Sequence, residues 1–267
     1  MTKQAKPAIA RQESAAPAWT WVTDANGRRY VSDEFNHRIV VEEPFGKSWA
    51  FGQKGQGAGE LRFPRGLALS AGVTATATRL YVADTWNHRV QVFDGRGALK
   101  FSFGGIGTGT GQFRAPSDLV IAHPVLPFEG DRGTVTAPVL VVADQWNARV
   151  QVFDLDGAWL GTLSGRPKTD SATHVGIGWP FFRLADAPLP RDPVRLAWQA
   201  PHLLVTGGNG RVHKIDLATA LLPSLDEWRS GASAAERRHA LRYFTLLQGQ
   251  RRAIPAQVLE SLGSQTD

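Results

Sequence analysis

Three segments of this chain spell nearly the same fourteen residues: YVSDEFNHRIVVEE from Tyr30, YVADTWNHRVQVFD from Tyr81 and VVADQWNARVQVFD from Val141. Each is a short apolar run, a polar turn and a second apolar run. That is the pattern of a β-hairpin, and a hairpin repeated along a chain predicts an array of like units. With 267 residues, 42% of them hydrophobic, the chain can bury one sizeable core, so one repeat-built domain with short appendages is expected. The 28 Gly, 16 Pro and 9 Trp beside a single Met suit turns and short strands better than a helical bundle.

Alignment of the phrases puts Asp33, Asp84 and Asp144 in one column, Asn36, Asn87 and Asn147 in a second, and Arg38, Arg89 and Arg149 in a third. The aspartate ends an apolar run such as Leu80 to Ala83, where its carboxylate can cap amides of the turn. The asparagine tolerates the left-handed backbone that a tight turn demands, and the arginine can reach back to the aspartate. Beyond it Val90 and Val92, like Val150 and Val152, alternate with Gln91 and Gln151, the period of a strand with one buried face.

With these columns known, a fourth and degraded copy is visible in LLVTGGNGRVHKID from Leu203, which keeps Asn209 and Arg211 but has Thr206 in place of the aspartate. Pro17, Pro64, Pro116 and Pro193 each precede one unit. Every unit reads as four strands, in the second roughly Gly66–Ser70, Leu80–Asp84, Arg89–Phe93 and Leu99–Phe103. The expected fold is therefore all-β: a β-propeller of four recognisable four-stranded blades.

The pattern D-x-x-N-H-R-V-x-V-F, preceded by G-x-G-x-G-x-[FL]-x-x-P, resembles the NHL repeat over about residues 17–218. The resemblance implies a propeller used mainly as a binding platform for protein or RNA, with a minority of enzymatic relatives such as peptide-amidating lyases. NHL propellers usually have six blades. Four are countable here, at spacings of 51, 60 and 62 residues between successive arginines, which leaves a small ring, an open or incomplete arc, or two hidden blades.

The expected organisation is a disordered tail at 1–16, the propeller at 17–223 and a helical appendage at 224–267. In the last segment Ser233 to Glu236 form a capping box ahead of Leu241, Phe244 and Leu247, and a second short helix runs from Pro255 to Leu262. The fourth unit lacks an obvious outer strand, so these helices are expected to cover the last blade or the ring opening. No apolar run approaches the roughly 18 residues that span a bilayer, and the tail has no apolar signal-like core, so a cytoplasmic protein with no membrane partner is the expectation. The net charge of +6 is spread over all three segments, which weakens an electrostatic case for nucleic acid.

Cysteine is absent, which excludes disulfides, thiolate metal ligands and cysteine nucleophiles. The glycine runs 51–60 and 103–112 lack a Lys-Ser/Thr ending and open no helix. They read as crossings from one blade's outer strand to the next inner strand rather than as phosphate loops, and no cofactor is expected. His37 and His88 share a column but give way to Ala148 and Gly210, so they read as turn residues and not as a metal set. The Asp, Asn and Arg columns, with Arg211, read as scaffold.

Two groups are candidates for binding. Phe35, Trp86 and Trp146 lie in the turns between second and third strands, on the face that also receives Arg62, Arg65 and Arg114, a composition that suits protein or single-stranded RNA. The bland alternative is sideways packing of each ring on the next blade. The second group is the column two residues after the repeat proline: Trp19, Gly66, Asp118 and Arg195. At the channel mouth Asp118 and Arg195 could hold a small polar ligand or form a salt bridge that plugs the channel. Arg237, Arg238, Arg242, Arg251 and Arg252 form a basic helix face, and the connection 165–192 with Trp179, Phe181 and Phe182 is aromatic for a linker.

These features point to a non-catalytic interaction module for a protein partner. Single-stranded RNA binding is the first alternative. A propeller lyase or lactonase is the second, although the inner strands offer Leu67, Leu69, Leu119, Ile121, Leu196 and Trp198, with His123 only at a strand end, where a lyase needs convergent His, Asp or Glu.

Overall fold

The fold is a β-propeller built from repeated antiparallel sheets, seen in a computed structural model that describes residues 20–70, 74–127, 134–136, 138–164, 189–190 and 192–217. Blade 1 comprises β1 (Trp21–Thr23), β2 (Arg29–Asp33), β3 (Arg38–Glu42) and β4 (Ser48–Phe51), hydrogen-bonded in that order. Blade 2 repeats it with β5 (Pro64–Ser70), β6 (Arg79–Asp84), β7 (Arg89–Phe93) and β8 (Leu99–Gly104). Blade 3 is formed by β9 (Pro116–Ala122), β12 (Val139–Asp144), β13 (Arg149–Phe153) and β14 (Trp159–Ser164). A separate hairpin, β10 (Val125–Pro127) with β11 (Thr134–Thr136), lies between its first two strands and is absent from the repeat pattern.

Blade 4 has β15 (Pro193–Gln199), β16 (His202–Gly207) and β17 (Val212–Asp216), three strands rather than four among the described residues. The expected tail at 1–16, the helical appendage with its arginines, the aromatic connection and Trp19 lie outside the described residues.

Blade-to-blade packing follows from side-chain alternation. Along β6, Leu80 and Val82 join Tyr30, Ile39, Val41, Leu61, Leu67 and Phe93 in a core between blades 1 and 2. Tyr81 and Ala83 point the other way, into a core with Val90, Val92, Phe113, Leu119, Leu140, Val142 and Phe153 between blades 2 and 3. Both faces of the central sheets are covered, which is why β6 and β12 are nearly continuous apolar runs. The outer strand β8 alternates between half-buried and exposed positions instead. Each fully buried aliphatic or aromatic side chain contributes about 1.5–3 kcal/mol.

The inner strands pack in series, β1 on β5, β5 on β9 and β9 on β15. Among the described elements no comparably extensive contact joins β15 back to β1.

The turn after each second strand corrects two local expectations. It is a single 3-10 turn, at Glu34–Asn36, Thr85–Asn87 and Gln145–Asn147, and the left-handed residue is the one after the asparagine: His37, His88 and Ala148, with φ of 58°, 55° and 53°. The aspartate does not cap its own turn either. In blades 2 and 3 it is committed elsewhere, to the loop that enters its blade.

Candidate functional site

The repeat columns are a clamp for the glycine loops. In blade 2, Asp84 is fully buried at the end of β6 and accepts Arg89 Nε at 2.8 Å, Asn87 Nδ2 at 2.9 and 3.1 Å, and Gln91 Nε2 at 3.1 Å. Its Oδ1 also accepts the backbone N–H of Arg62 at 2.7 Å, from the loop between β4 and β5. Around this carboxylate the other side chains reach the same loop. Asn87 donates to the carbonyl of Gly55, Arg89 to those of Gly57 and Glu60, and Gln91 to that of Glu60, while Gln91 Oε1 accepts Gly59 N–H.

Blade 3 repeats the arrangement one unit later. Arg114 N–H donates to Asp144 Oδ1 at 2.7 Å, Asn147 donates to the Gly107 carbonyl, and Arg149 donates to those of Thr108, Gly109 and Gln112. Gln151 takes the place of Gln91. The glycine runs thus serve as crossings between blades, each held by the blade it enters. Burial pushes the Asp84 carboxyl above the usual carboxylate range despite these donors. In blade 4, with Thr206 at the aspartate position, Arg211 N–H instead bonds Asn209 Oδ1 at 3.0 Å.

The two histidines fasten consecutive blades. His37 Nδ1 accepts Phe63 N–H at 3.0 Å and His88 Nδ1 accepts Ala115 N–H at 3.0 Å. Phe63 and Ala115 occupy the left-handed region, with φ of 51° and 50°, just ahead of the repeat prolines. Burial lowers both imidazole pKa values, and the cations Lys54 and Arg62 near His37 and Arg114 near His88 lower them further. Among the described residues no group of three or more His, Asp or Glu is placed to hold a metal ion.

The clamp also shapes a surface. The second and third 3-10 turns are docked on the entering loops, Trp86 N–H on the Arg62 carbonyl and Trp146 N–H on that of Arg114, both at 3.1 Å. Phe35, Trp86 and Trp146 are thereby brought to one face, along with Phe63, which lay outside the repeat columns. Phe35 meets Phe63 at 6.4 Å between ring centroids, Phe63 meets Trp86 at 5.8 Å, and Trp86 meets Trp146 edge-on at 5.6 Å. The rings pack sideways and still remain open to solvent, with Phe35, Trp86 and Trp146 67%, 40% and 57% exposed. Arg62 lies over Trp86 at 6.0 Å, Arg65 pairs with Glu34 at 2.8 Å, and Arg114 is exposed.

The channel-mouth column has a different outcome. Asp118 on β9 is buried. Its Oδ1 accepts the N–H of Leu119 at 2.9 Å and its Oδ2 accepts that of Leu196 on β15 at 2.8 Å. It lies against Gly66 of β5, where a β-carbon would come within 2.5 Å of the Asp118 Cα. Desolvation pushes the Asp118 carboxyl up to about 6; the two amides and, more weakly, Arg195 oppose the rise. Asp118 therefore ties β9 to β15 through backbone amides and packs against β5. His123, just past the end of β9, is exposed.

The sequence pattern described as NHL repeat matches residues 61–93, the stretch from the clamped loop through β7. The chain carries the NHL repeat. The chain is 47% identical over 70 residues to RING finger protein nhl-1 of Caenorhabditis elegans, covering 26% of this chain and 7% of that protein. It is 37% identical over 73 residues to Protein brain tumor of Drosophila melanogaster, covering 27% and 7%. The similarity to both curated relatives thus spans about 7% of their length.

Among solved structures, this propeller is similar to virginiamycin B lyase from Staphylococcus aureus, with TM-score 0.42 and 12% identity over 73% of this chain and 54% of that one. It is also similar to an auxiliary nutrient binding protein from Bacteroides ovatus, with TM-score 0.46 and 15% identity over 72% and 46%. Among the described residues no helix is long and apolar enough to cross a membrane.

Proposed function

We propose that this NHL propeller is a non-catalytic interaction module that binds a protein partner through the face bearing Phe35, Phe63, Trp86 and Trp146. The observation that supports this reading is the aromatic ribbon itself: four rings in successive contact across three blades, half-exposed and held on turns rigidified by the buried clamp. Large aromatic side chains fixed before binding lose little entropy on association, and Arg62 over Trp86 adds an anchor of the kind enriched at interface hot spots.

The ring geometry favours protein over single-stranded RNA. Bases need open ring faces to stack upon, whereas here the contacts are T-shaped or tilted and the spacings of 5.6–6.4 Å leave no slot between rings. Charge favours the same choice, since Arg65 is already paired with Glu34.

Pull-down with wild type and with a Trp86→Ala/Trp146→Ala variant tests the reading. Loss of the wild-type partner by a variant of unchanged melting temperature is expected; retention of that partner overturns the assignment of the face. Salt-sensitive binding of random single-stranded RNA at micromolar protein would favour RNA instead.

A further inference from the structure

Blade 1 carries the same Asp, Asn and Arg as blades 2 and 3, but its Asn36 and Arg38 are exposed. Asn36 Nδ2 donates to Asp33 Oδ1 at 2.8 Å and to Oδ2 at 3.0 Å, and Arg38 Nε donates to Asp33 Oδ2 at 2.8 Å. The cluster therefore has the conformation seen around Asp84 and Asp144. The difference is in what lies over it. Arg89 and Arg149 bury their guanidinium groups under a glycine loop and are 18% and 13% exposed, while Arg38 is 46% exposed and has no backbone carbonyl on it among the described residues. Asp33 itself is 4% exposed, so the arginine is held by a buried carboxylate and its outer nitrogens are presented in a fixed geometry.

We propose that Asp33, Asn36 and Arg38 form a peptide-docking site that takes a glycine-rich loop of another polypeptide, recognised through its backbone carbonyls. The ligand chemistry is displayed twice in this chain, as GQGAGELR at 55–62 and GTGTGQFR at 107–114. In both, the second residue of the Gly-x-Gly-x-Gly run sits between carbonyls that point at asparagine and arginine donors. The following Glu60 or Gln112 closes the loop by accepting the N–H of Gly57 or Gly109, at 2.8 and 2.9 Å. A β-carbon at Gly55 would displace the Glu60 carboxylate, and one at Gly107 the Gln112 amide, so either change moves the side chain that closes the loop.

Both of these loops are engaged in blades 2 and 3, and the occupant assigned to blade 1 is a turn of the same kind carried by a partner protein. Val40 stands where Gln91 and Gln151 stand, so the blade 1 site offers fewer bonds and binds reversibly. The site adjoins Phe35 but does not depend on the aromatic face.

The test uses the full chain labelled for NMR and an acetylated, amidated peptide of residues 53–63. Saturable shifts of Arg38 Nε–H and the Asn36 side-chain amide are expected, with no change at Arg89 or Arg149. Binding should weaken at least about tenfold in Arg38→Gln, and likewise for a peptide with alanine in place of Gly55 and Gly57; this second arm stands even if Arg38→Gln fails to fold. The Trp86→Ala/Trp146→Ala variant should bind the peptide as wild type does. No shift at millimolar peptide, as occupation by the chain's own N-terminal residues or by a second copy would give, overturns the proposal, as does binding that is indifferent to Arg38 and to the peptide glycines.

Discussion

Gly66 and Asp118 occupy adjacent inner strands so closely that a β-carbon on Gly66 would stand 2.5 Å from the Asp118 Cα and 2.6 Å from its Oδ1. The nearest atom is backbone, so rotating the carboxylate away does not relieve the contact. Gly66→Ala should therefore destabilise the propeller by about 1–3 kcal/mol, read as a lower denaturation midpoint at unchanged m-value.

Asp118 also sets a pH dependence. Its folded pKa, pushed up to about 6, lies above that of an unfolded aspartate, so its contribution to stability is full below about pH 4 and is lost as pH rises through 6. Between pH 4 and 8 the wild type should lose about 2 kcal/mol relative to Asp118→Asn. Urea titrations of both proteins across that range check this, and parallel pH profiles would refute it.

The histidine clasps have the opposite sign. Each Nδ1 must be unprotonated to accept the Phe63 or Ala115 amide, and burial depresses both pKa values. Their contribution is present above the unfolded histidine pKa and is lost as pH falls through the folded one. His88→Ala should cost about 1–3 kcal/mol at pH 8, with the difference from wild type shrinking in acid.

The clamp carboxylates should differ in cost by blade. Asp84→Asn leaves the mostly buried Arg89 without its counter-charge and should cost about 3–5 kcal/mol, with Asp144→Asn similar. Asp33→Asn, beside the half-exposed Arg38, should cost roughly 1 kcal/mol. Thermal melts of the three variants rank them directly.

The repeat made much of this legible in advance. A carboxylate followed five residues later by an arginine was readable as a pair, because both lie on one hairpin and their separation is set by local geometry. The aromatic turn residues were readable for the same reason. Phe63 was not, since its counterpart is Ala115 and no column marks it; it enters the ribbon through a loop conformation. The left-handed position falls one residue after asparagine, its usual non-glycine occupant, because here the asparagine side chain is needed by the aspartate and the loop.

Sequence alone determined the blade: four strands, their turn, the buried Asp–Arg pair and the weaker fourth copy all follow from residues close together in the chain. Tertiary structure decided what those residues hold. Asp84 and Arg89 grip a loop more than twenty residues upstream, Asp118 reaches an amide on β15, and Arg38 grips no loop among the described residues. These outcomes depend on which segment the neighbouring blade brings alongside, and that is a property of packing rather than of any local pattern.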